Sequence, residues 1–226
     1  MTRTTNARIA GVTFLVYIAA GITSMVLYAR ATGGEGIAAQ LATIAQHETE
    51  VRLTVLLNLL MNLSALVLAV TLYSITREQD QDLSMLAMIC RVAEGIAGMD
   101  VSGTLGLLWL ASATDATSLD AGASSALGAF FLKMGKTMGA SATFFAVGST
   151  LFAWLFLRGR MIPVALAWLG VLASILLVVL LPLQLAGLLG GPITSLMWLP
   201  MLVFEVALAL WLIVKGVAGP GQRSPA

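Results

Sequence analysis

Long apolar runs separated by short polar segments dominate the chain. Six runs reach about 20 residues or more, the length that a helix needs to cross a hydrocarbon core of about 30 Å. They occupy residues 9–29, 53–76, 83–110, 137–157, 162–186 and 193–215. The runs are continuous and lack the alternation of a transmembrane β-barrel strand. The pattern predicts an all-α fold, a polytopic transmembrane bundle of six helices forming one domain over residues 1–216.

The polar segments between the runs carry weaker signals. Ile37, Leu41 and Ile44 recur at helical spacing after the first run, which predicts a surface helix over about residues 36–50. The stretch "SATDATSLDAGASS" at 112–125 has the Ser, Thr, Asp and Gly content of a loop. The last residues, 217–226, are expected to form a disordered tail.

The positive charges predict an orientation. Most arginines and lysines at or beyond the ends of the runs fall on one side of a six-span arrangement: Arg3, Arg8, Arg77, Arg158, Arg160, Lys215 and Arg223. The opposite loops carry mainly acidic residues. Because Lys and Arg are retained on the cytoplasmic side of a membrane, both termini are predicted to be cytoplasmic.

Composition agrees with a membrane protein and excludes one class of partner. The chain is 59% apolar and 10% charged, whereas soluble domains have about 25% charged residues. A net charge of +1 without a long basic run leaves little to neutralise a phosphate backbone. The expected partner is therefore the lipid bilayer and not a nucleic acid, and a homo-oligomer is left open.

Charged residues inside the third run point to a buried site. The stretch "MLAMICRVAEGIAGMD" at 85–100 contains Arg91 and Glu94, although a charge near the bilayer centre costs about 2.5–3.5 kcal/mol. A rise of 1.5 Å per residue puts Arg91, Glu94, Glu205 and Tyr17 at about 12–16 Å from the cytoplasmic ends of their spans. Arg91 and Glu94 share one helix face, and Glu205 is expected to satisfy further guanidinium donors. These four residues are the predicted ligand-binding pocket.

A second polar group is predicted closer to the outer surface. Asp100 lies at about 25 Å on the same count, and Asn58 and Asn62 share a face because they are four residues apart. Together with Arg52 they could line an outer vestibule. Interhelical amide hydrogen bonds of about 0.6 kcal/mol each are an equally good interpretation.

The inventory of reactive side chains excludes much enzyme chemistry. The chain has one histidine, His47, and one cysteine, Cys90, whereas a zinc site needs three or four converging ligands and bis-histidine haem ligation needs two histidines. We therefore predict no catalytic residue, no metal and no cofactor. Proton exchange by a buried glutamate, or recognition of a charged group by Arg91, remains open.

Several short motifs resemble the DUF4386 family of membrane proteins. They are Arg8 with "AGVTFLVYI" at 10–18, "LYSI" at 72–75, "RVAE" at 91–94, "LRGRMIPVALAWLG" at 157–170 and "LPMLVFEVALALWLIVKG" at 199–216. The resemblance implies a multi-span protein of a bacterial cytoplasmic (inner) membrane, without an agreed activity. It also makes Arg91, Glu94 and Glu205 part of a recurring motif.

Three functions are compatible with these features. The leading hypothesis is an intramembrane pocket that binds or moves a small or amphipathic solute, because transporter sites lie near the bilayer midplane. The alternative is a structural or regulatory protein whose buried ion network only fixes the bundle. The third is an intramembrane lipid-modifying enzyme.

Overall fold

The computed structural model describes residues 2–112, 120–136 and 140–218. Within those ranges the regular secondary structure is helical and contains no strand. The helices are α1 (Arg3–Ala31), α2 (Ile37–Gln46), α3 (Glu48–Thr76), α4 (Gln81–Gly98), α5 (Ser102–Ser112), α6 (Ala121–Lys136), α7 (Ala140–Arg158), α8 (Val164–Leu185), α9 (Ile193–Leu196) and α10 (Leu199–Val214).

Within the described residues, five helical stretches are long and apolar enough to cross a membrane. They are α1, α3, α7, α8 and the segment Ile193–Val214, which contains α9 and α10. Their outer faces expose large apolar side chains such as Leu56, Val70 and Leu172. Apolar side chains on the outside of long apolar helices are the pattern expected against lipid. The chain is an all-helical, multi-pass membrane protein.

The third predicted span is interrupted, so the prediction of one continuous helix over residues 83–110 was wrong. α4 ends at Gly98 and α5 begins at Ser102. The Asn62 amide donates to the carbonyl of Gly98 at 2.8 Å, and the Asp100 carboxylate accepts from the N–H of Ser102 at 2.9 Å. Side chains thus satisfy two backbone groups that a continuous helix would have satisfied internally.

The prediction of a loop over residues 112–125 was wrong for residues 121–125, which form the start of α6. Residues 113–119 lie outside the described part of the chain. Asp120 accepts a hydrogen bond from the N–H of Ala123 at 2.6 Å, in the position of an N-cap residue. Sequence reasoning missed α6 because its first turns consist of Ala, Gly and Ser, which are equally typical of a loop.

The surface helix predicted over 36–50 corresponds in position to α2, whose residues Leu41 and Ile44 are buried in protein. Leu41 and Ile44 belong to a core that also contains Val51, Leu107 and Leu132. The apolar side of α2 therefore packs against α5 and α6. Residues 48–50, which were assigned to this helix, form the first turn of α3.

The contacts divide the chain into two compact units. Unit 1 comprises Met1–Tyr17, Asn62–Gly98 and Gly139–Ala226, and unit 2 comprises Ile18–Met61 and Met99–Met138. The core of unit 2 is the cluster around Leu41 and Ile44 described above. The larger core of unit 1 contains apolar side chains from α1, α3, α4, α7, α8 and α10, among them Phe14, Leu72, Phe152, Phe156, Leu177, Phe204 and Leu208.

Ion pairs join three segments at one end of unit 1. Arg3, at the start of α1, contacts Glu78 in the α3–α4 turn at 3.2 Å. Arg158, at the end of α7, contacts Asp80 of the same turn at 3.0 Å. The expected disordered tail lies mostly beyond residue 218 and hence outside the described residues.

Two glycines allow close helix contacts within unit 1. A Cβ added to Gly11 would lie 2.7 Å from the carbonyl oxygen of Ala209, and one added to Gly170 would lie 2.5 Å from the ring of Phe204. Small residues let helix backbones approach in membranes, where dispersion contacts replace the hydrophobic effect as the main attraction. A side chain is tolerated less well at Gly11 than at Gly170, because the neighbouring atom at Gly11 belongs to the backbone of Ala209, whereas the Phe204 ring can move.

Gly11→Ala should therefore lower the free energy of unfolding by about 1–3 kcal/mol, the usual cost of overpacking. Thermal denaturation in detergent would measure the effect. Gly190→Ala is the matched control, because a Cβ at Gly190 meets no atom within 4 Å. Equal melting temperatures for the two variants would contradict the close contact between α1 and α10.

Candidate functional site

The buried side of α4 carries the central charges of unit 1. Its buried positions include Ser84, Ala87, Arg91 and Glu94, which recur at helical spacing and so form one stripe. Small residues next to the charges let α7 approach. A Cβ on Gly148 of α7 would lie 3.3 Å from the Cγ atom of Arg91, so a larger residue there would require the neighbouring atoms of α4 to shift by a few tenths of an ångström.

Arg91 and Glu94 form a buried ion pair, as their spacing predicts. The Nη1 atom of Arg91 lies 2.9 Å from Oε2 of Glu94, and the two residues are only 1% and 2% exposed. The hydroxyl of Tyr17 donates to Oε1 of Glu94 at 2.9 Å. The structure therefore brings together three of the four predicted pocket residues, from α1 and α4, in direct contacts.

Two aromatic rings surround the guanidinium. The Cζ atom of Arg91 lies 5.0 Å from the ring centroid of Phe145 and 5.5 Å from that of Tyr17. Both distances fall within the range of about 6 Å for a cation–π interaction. Sequence reasoning missed Phe145, since nothing in the pattern separates this buried ring from the exposed ring of Phe144.

Glu205 lines the same cavity as Arg91. The cavity has a volume of about 10 Å³ and is lined by Arg91, Ser149 and Glu205 among apolar side chains. Glu205 is 5% exposed and interacts electrostatically with Arg91 and Glu94. No ion pair joins Glu205 to Arg91 in the part of the chain that the structure describes, so the direct hydrogen bond expected between them is not formed.

Several polar atoms of the cluster have unused hydrogen-bonding capacity. Within the described residues, the three guanidinium nitrogens of Arg91 and one oxygen of Glu205 have no partner in hydrogen-bond geometry, although Nη1 is paired by distance with Glu94. A buried donor without an acceptor costs about 1–3 kcal/mol, and more when it is charged. Chemically, the cluster offers donors and an acceptor to a small polar group.

The residues of the predicted outer vestibule have local partners. Arg52 is paired with Glu48, one turn earlier in α3, and the amide oxygen of Asn58 accepts from the hydroxyl of Ser24 at 3.2 Å. Asn62 donates a hydrogen bond to the last residue of α4, and Asp100 accepts one from the first residue of α5, on either side of the interruption in the third span. These contacts agree with the structural interpretation of the four residues, and the vestibule remains a prediction.

Metal-binding side chains do not converge in the described ranges. No group of three His, Cys, Asp or Glu residues there could hold a metal ion. The cluster around Arg91 has two carboxylates beside a permanent cation, a combination that favours hydrogen bonding over metal coordination.

Comparison with known families supports the resemblance seen in the sequence. The model of the family described as Domain of unknown function (DUF4386) matches residues 9–216. That range contains all four predicted pocket residues. Comparison with curated proteins and with solved structures gave no match.

Tyr17→Phe should lower the free energy of unfolding by about 1–3 kcal/mol, because it leaves an oxygen of buried Glu94 without its donor. Chemical denaturation in detergent would measure the change. The matched control is Tyr28→Phe in the same helix, since the Tyr28 hydroxyl has no hydrogen-bond partner among the described residues. If both variants unfold like the unmodified protein, the hydrogen bond to Glu94 does not stabilise the cluster.

Proposed function

The chain belongs to the DUF4386 family, and we propose that its buried cluster of Tyr17, Arg91, Glu94 and Glu205 binds or moves a small or amphipathic solute across a bacterial cytoplasmic membrane. The observation that carries this proposal is the guanidinium of Arg91, which is 1% exposed. Two of its nitrogens, Nε and Nη2, lack an acceptor within the described chain, while Nη1 pairs with Glu94 at 2.9 Å.

A purely structural network would satisfy its buried donors, because a partly satisfied one is worse than an apolar core. Arg91 and Glu205 instead face a shared cavity with unused donors and an unused acceptor. Polar groups of a solute could supply the missing hydrogen-bond partners of Arg91 and Glu205. A volume of about 10 Å³ suffices for roughly one water molecule, so a larger solute enters when α7 or α10 moves away from α4.

The second candidate function is that of a scaffold within the membrane. It is favoured by the Arg91–Glu94 pair and the Tyr17 hydrogen bond, which together tie α1 to α4. Buried polar contacts of this kind can fix helix register without binding anything. The protein would then act by association with a partner protein or with a second copy of itself.

The proposed topology has six spans with both termini in the cytoplasm. Here α4 is the third span, since 18 residues extend about 27 Å and nearly cross the hydrocarbon. It falls outside the five apolar helices because it carries Asp82, Arg91 and Glu94. The ion pairs of Arg3 and Arg158 with the α3–α4 turn support placing these basic segments on one membrane side.

The turn after α8 distinguishes six spans from five. In a Cys90→Ala background, Leu188→Cys should react with a membrane-impermeant maleimide in intact cells, because six spans put this exposed residue outside. Arg77→Cys should react only after permeabilisation. If α4 does not cross, Leu188→Cys becomes cytoplasmic and is protected, which would contradict the six-span topology.

Glu205→Gln tests the solute site, because it keeps the shape of the side chain and removes its charge. We expect a folded protein that retains less of any small molecule that copurifies with the unmodified protein, as measured by mass spectrometry of extracts. Glu78→Gln is the control, since Glu78 is exposed and pairs with Arg3. Lower thermal stability with unchanged copurifying molecules would favour the scaffold.

A further inference from the structure

The turn that ends α7 places an arginine where glycine is usual. The N–H of Met161 bonds to the carbonyl of Phe156 at 3.0 Å, and that of Arg160 bonds to Leu157 at 3.1 Å. This is the Schellman pattern, whose residue after the helix adopts a left-handed conformation and is usually Gly. Arg160 has φ 47° and is the only non-glycine residue with a positive φ in the described chain.

α10 ends beside this turn with the usual residue. Gly216 has φ 71°, and its N–H bonds to the carbonyl of Trp211 at 3.2 Å. The N–H of Ala218 donates to the carbonyl of Met161 at 3.0 Å, so the segment after α10 is attached to the turn after α7. Both helices are thus followed by a residue with a left-handed φ, Gly216 after α10 and Arg160 after α7.

A cavity of about 460 Å³ lies between these two helix ends. Its charged side chains are Arg160 and Lys215, and its apolar wall includes Ile162, Val164 and Trp211. Among the described residues, no carboxylate lines it. Neither cation has an ion-pair partner among residues 2–112, 120–136 and 140–218. The volume lies in the range of about 300–1,000 Å³ that is typical of small-molecule sites.

We propose that this cavity binds the phosphate headgroup of an anionic phospholipid. Arg160 and Lys215 supply two cations for the phosphodiester, and Trp211 supplies an indole of the kind that lies at headgroup level. Basic pockets at membrane surfaces recognise anionic headgroups in this way. The apolar wall beside the cations suits the start of an acyl chain, which inorganic phosphate lacks. The proposal is independent of the solute site around Arg91.

The conformation of Arg160 supports a role for its side chain. An L-residue is rare in the left-handed region, whereas glycine adopts it at little cost. Glycine at position 160 would therefore suit the turn better and would remove one cation from the cavity. Proteins often keep a residue that lowers local stability when its side chain serves a function. For Arg160, both the melting temperature and the lipid affinity of Arg160→Gly can be measured.

The test is a titration of the full-length protein in detergent with phosphatidylglycerol, and separately with phosphatidylcholine of the same acyl chains, followed by native mass spectrometry. We expect tighter binding of phosphatidylglycerol. Arg160→Gly should weaken that binding about fivefold, and Arg160→Gln combined with Lys215→Gln about thirtyfold, at the usual contribution of one cation near an anionic surface. Arg160→Gly should melt no lower than the unmodified protein.

The control combines Arg8→Gln with Arg77→Gln, which removes the same charge from two exposed arginines outside the cavity. It should leave phosphatidylglycerol binding unchanged. Cations can also stabilise helix C-termini directly. If the cavity variants lose thermal stability but keep their lipid affinity, or if phosphatidylglycerol and phosphatidylcholine bind equally, the headgroup site is wrong. Displacement of the lipid by inorganic phosphate would assign the cations to a free anion and overturn the lipid proposal.

Discussion

The burial of the Arg91 guanidinium determines how the helices of unit 1 pack around α4. Its first compensation is local, because Glu94 lies one helical turn away and pairs with it inside the same helix. The remaining contacts come from other helices, with the Tyr17 hydroxyl on Glu94 and the Phe145 ring beside the cation. A permanent charge in an apolar interior is stable only with such partners, so the positions of α1 and α7 are tied to this one side chain.

The apolar helices could be predicted from the sequence because their signal is long and continuous. Five of the six predicted spans have a counterpart among the apolar helices of the structure. The interruption after Gly98 could not be predicted, since it depends on a hydrogen bond from Asn62 in a different helix. α6 was missed for a compositional reason, because Ala, Gly and Ser do not distinguish a helix from a loop at its start.

The features of the candidate site that depend on residue spacing and depth along a single helix could be predicted from the sequence. The i, i+3 spacing predicted the Arg91–Glu94 pair, and counting the rise per residue brought Tyr17 to the same level. The same count predicted a hydrogen bond between Glu205 and Arg91, which is not formed among the described residues. Depth along a helix is a linear quantity, whereas the direction of the Glu205 side chain depends on how α10 rotates as Phe204 packs beside Gly170. Phe145 was missed for the same reason, because its burial depends on the rotation of α7 and not on its position along the helix.

The close packing of Gly11 on the backbone of Ala209 has a consequence for biosynthesis. Roughly 200 residues separate these two positions, and at about 5–20 residues per second the ribosome needs about 10–40 s to add them. Throughout that interval α1 lacks the helix against which Gly11 packs, and Arg91 and Glu94 are synthesised before Glu205 exists. Final assembly of unit 1 is therefore delayed until translation of the last helix, and the nascent chain must persist until then in a loosely packed form.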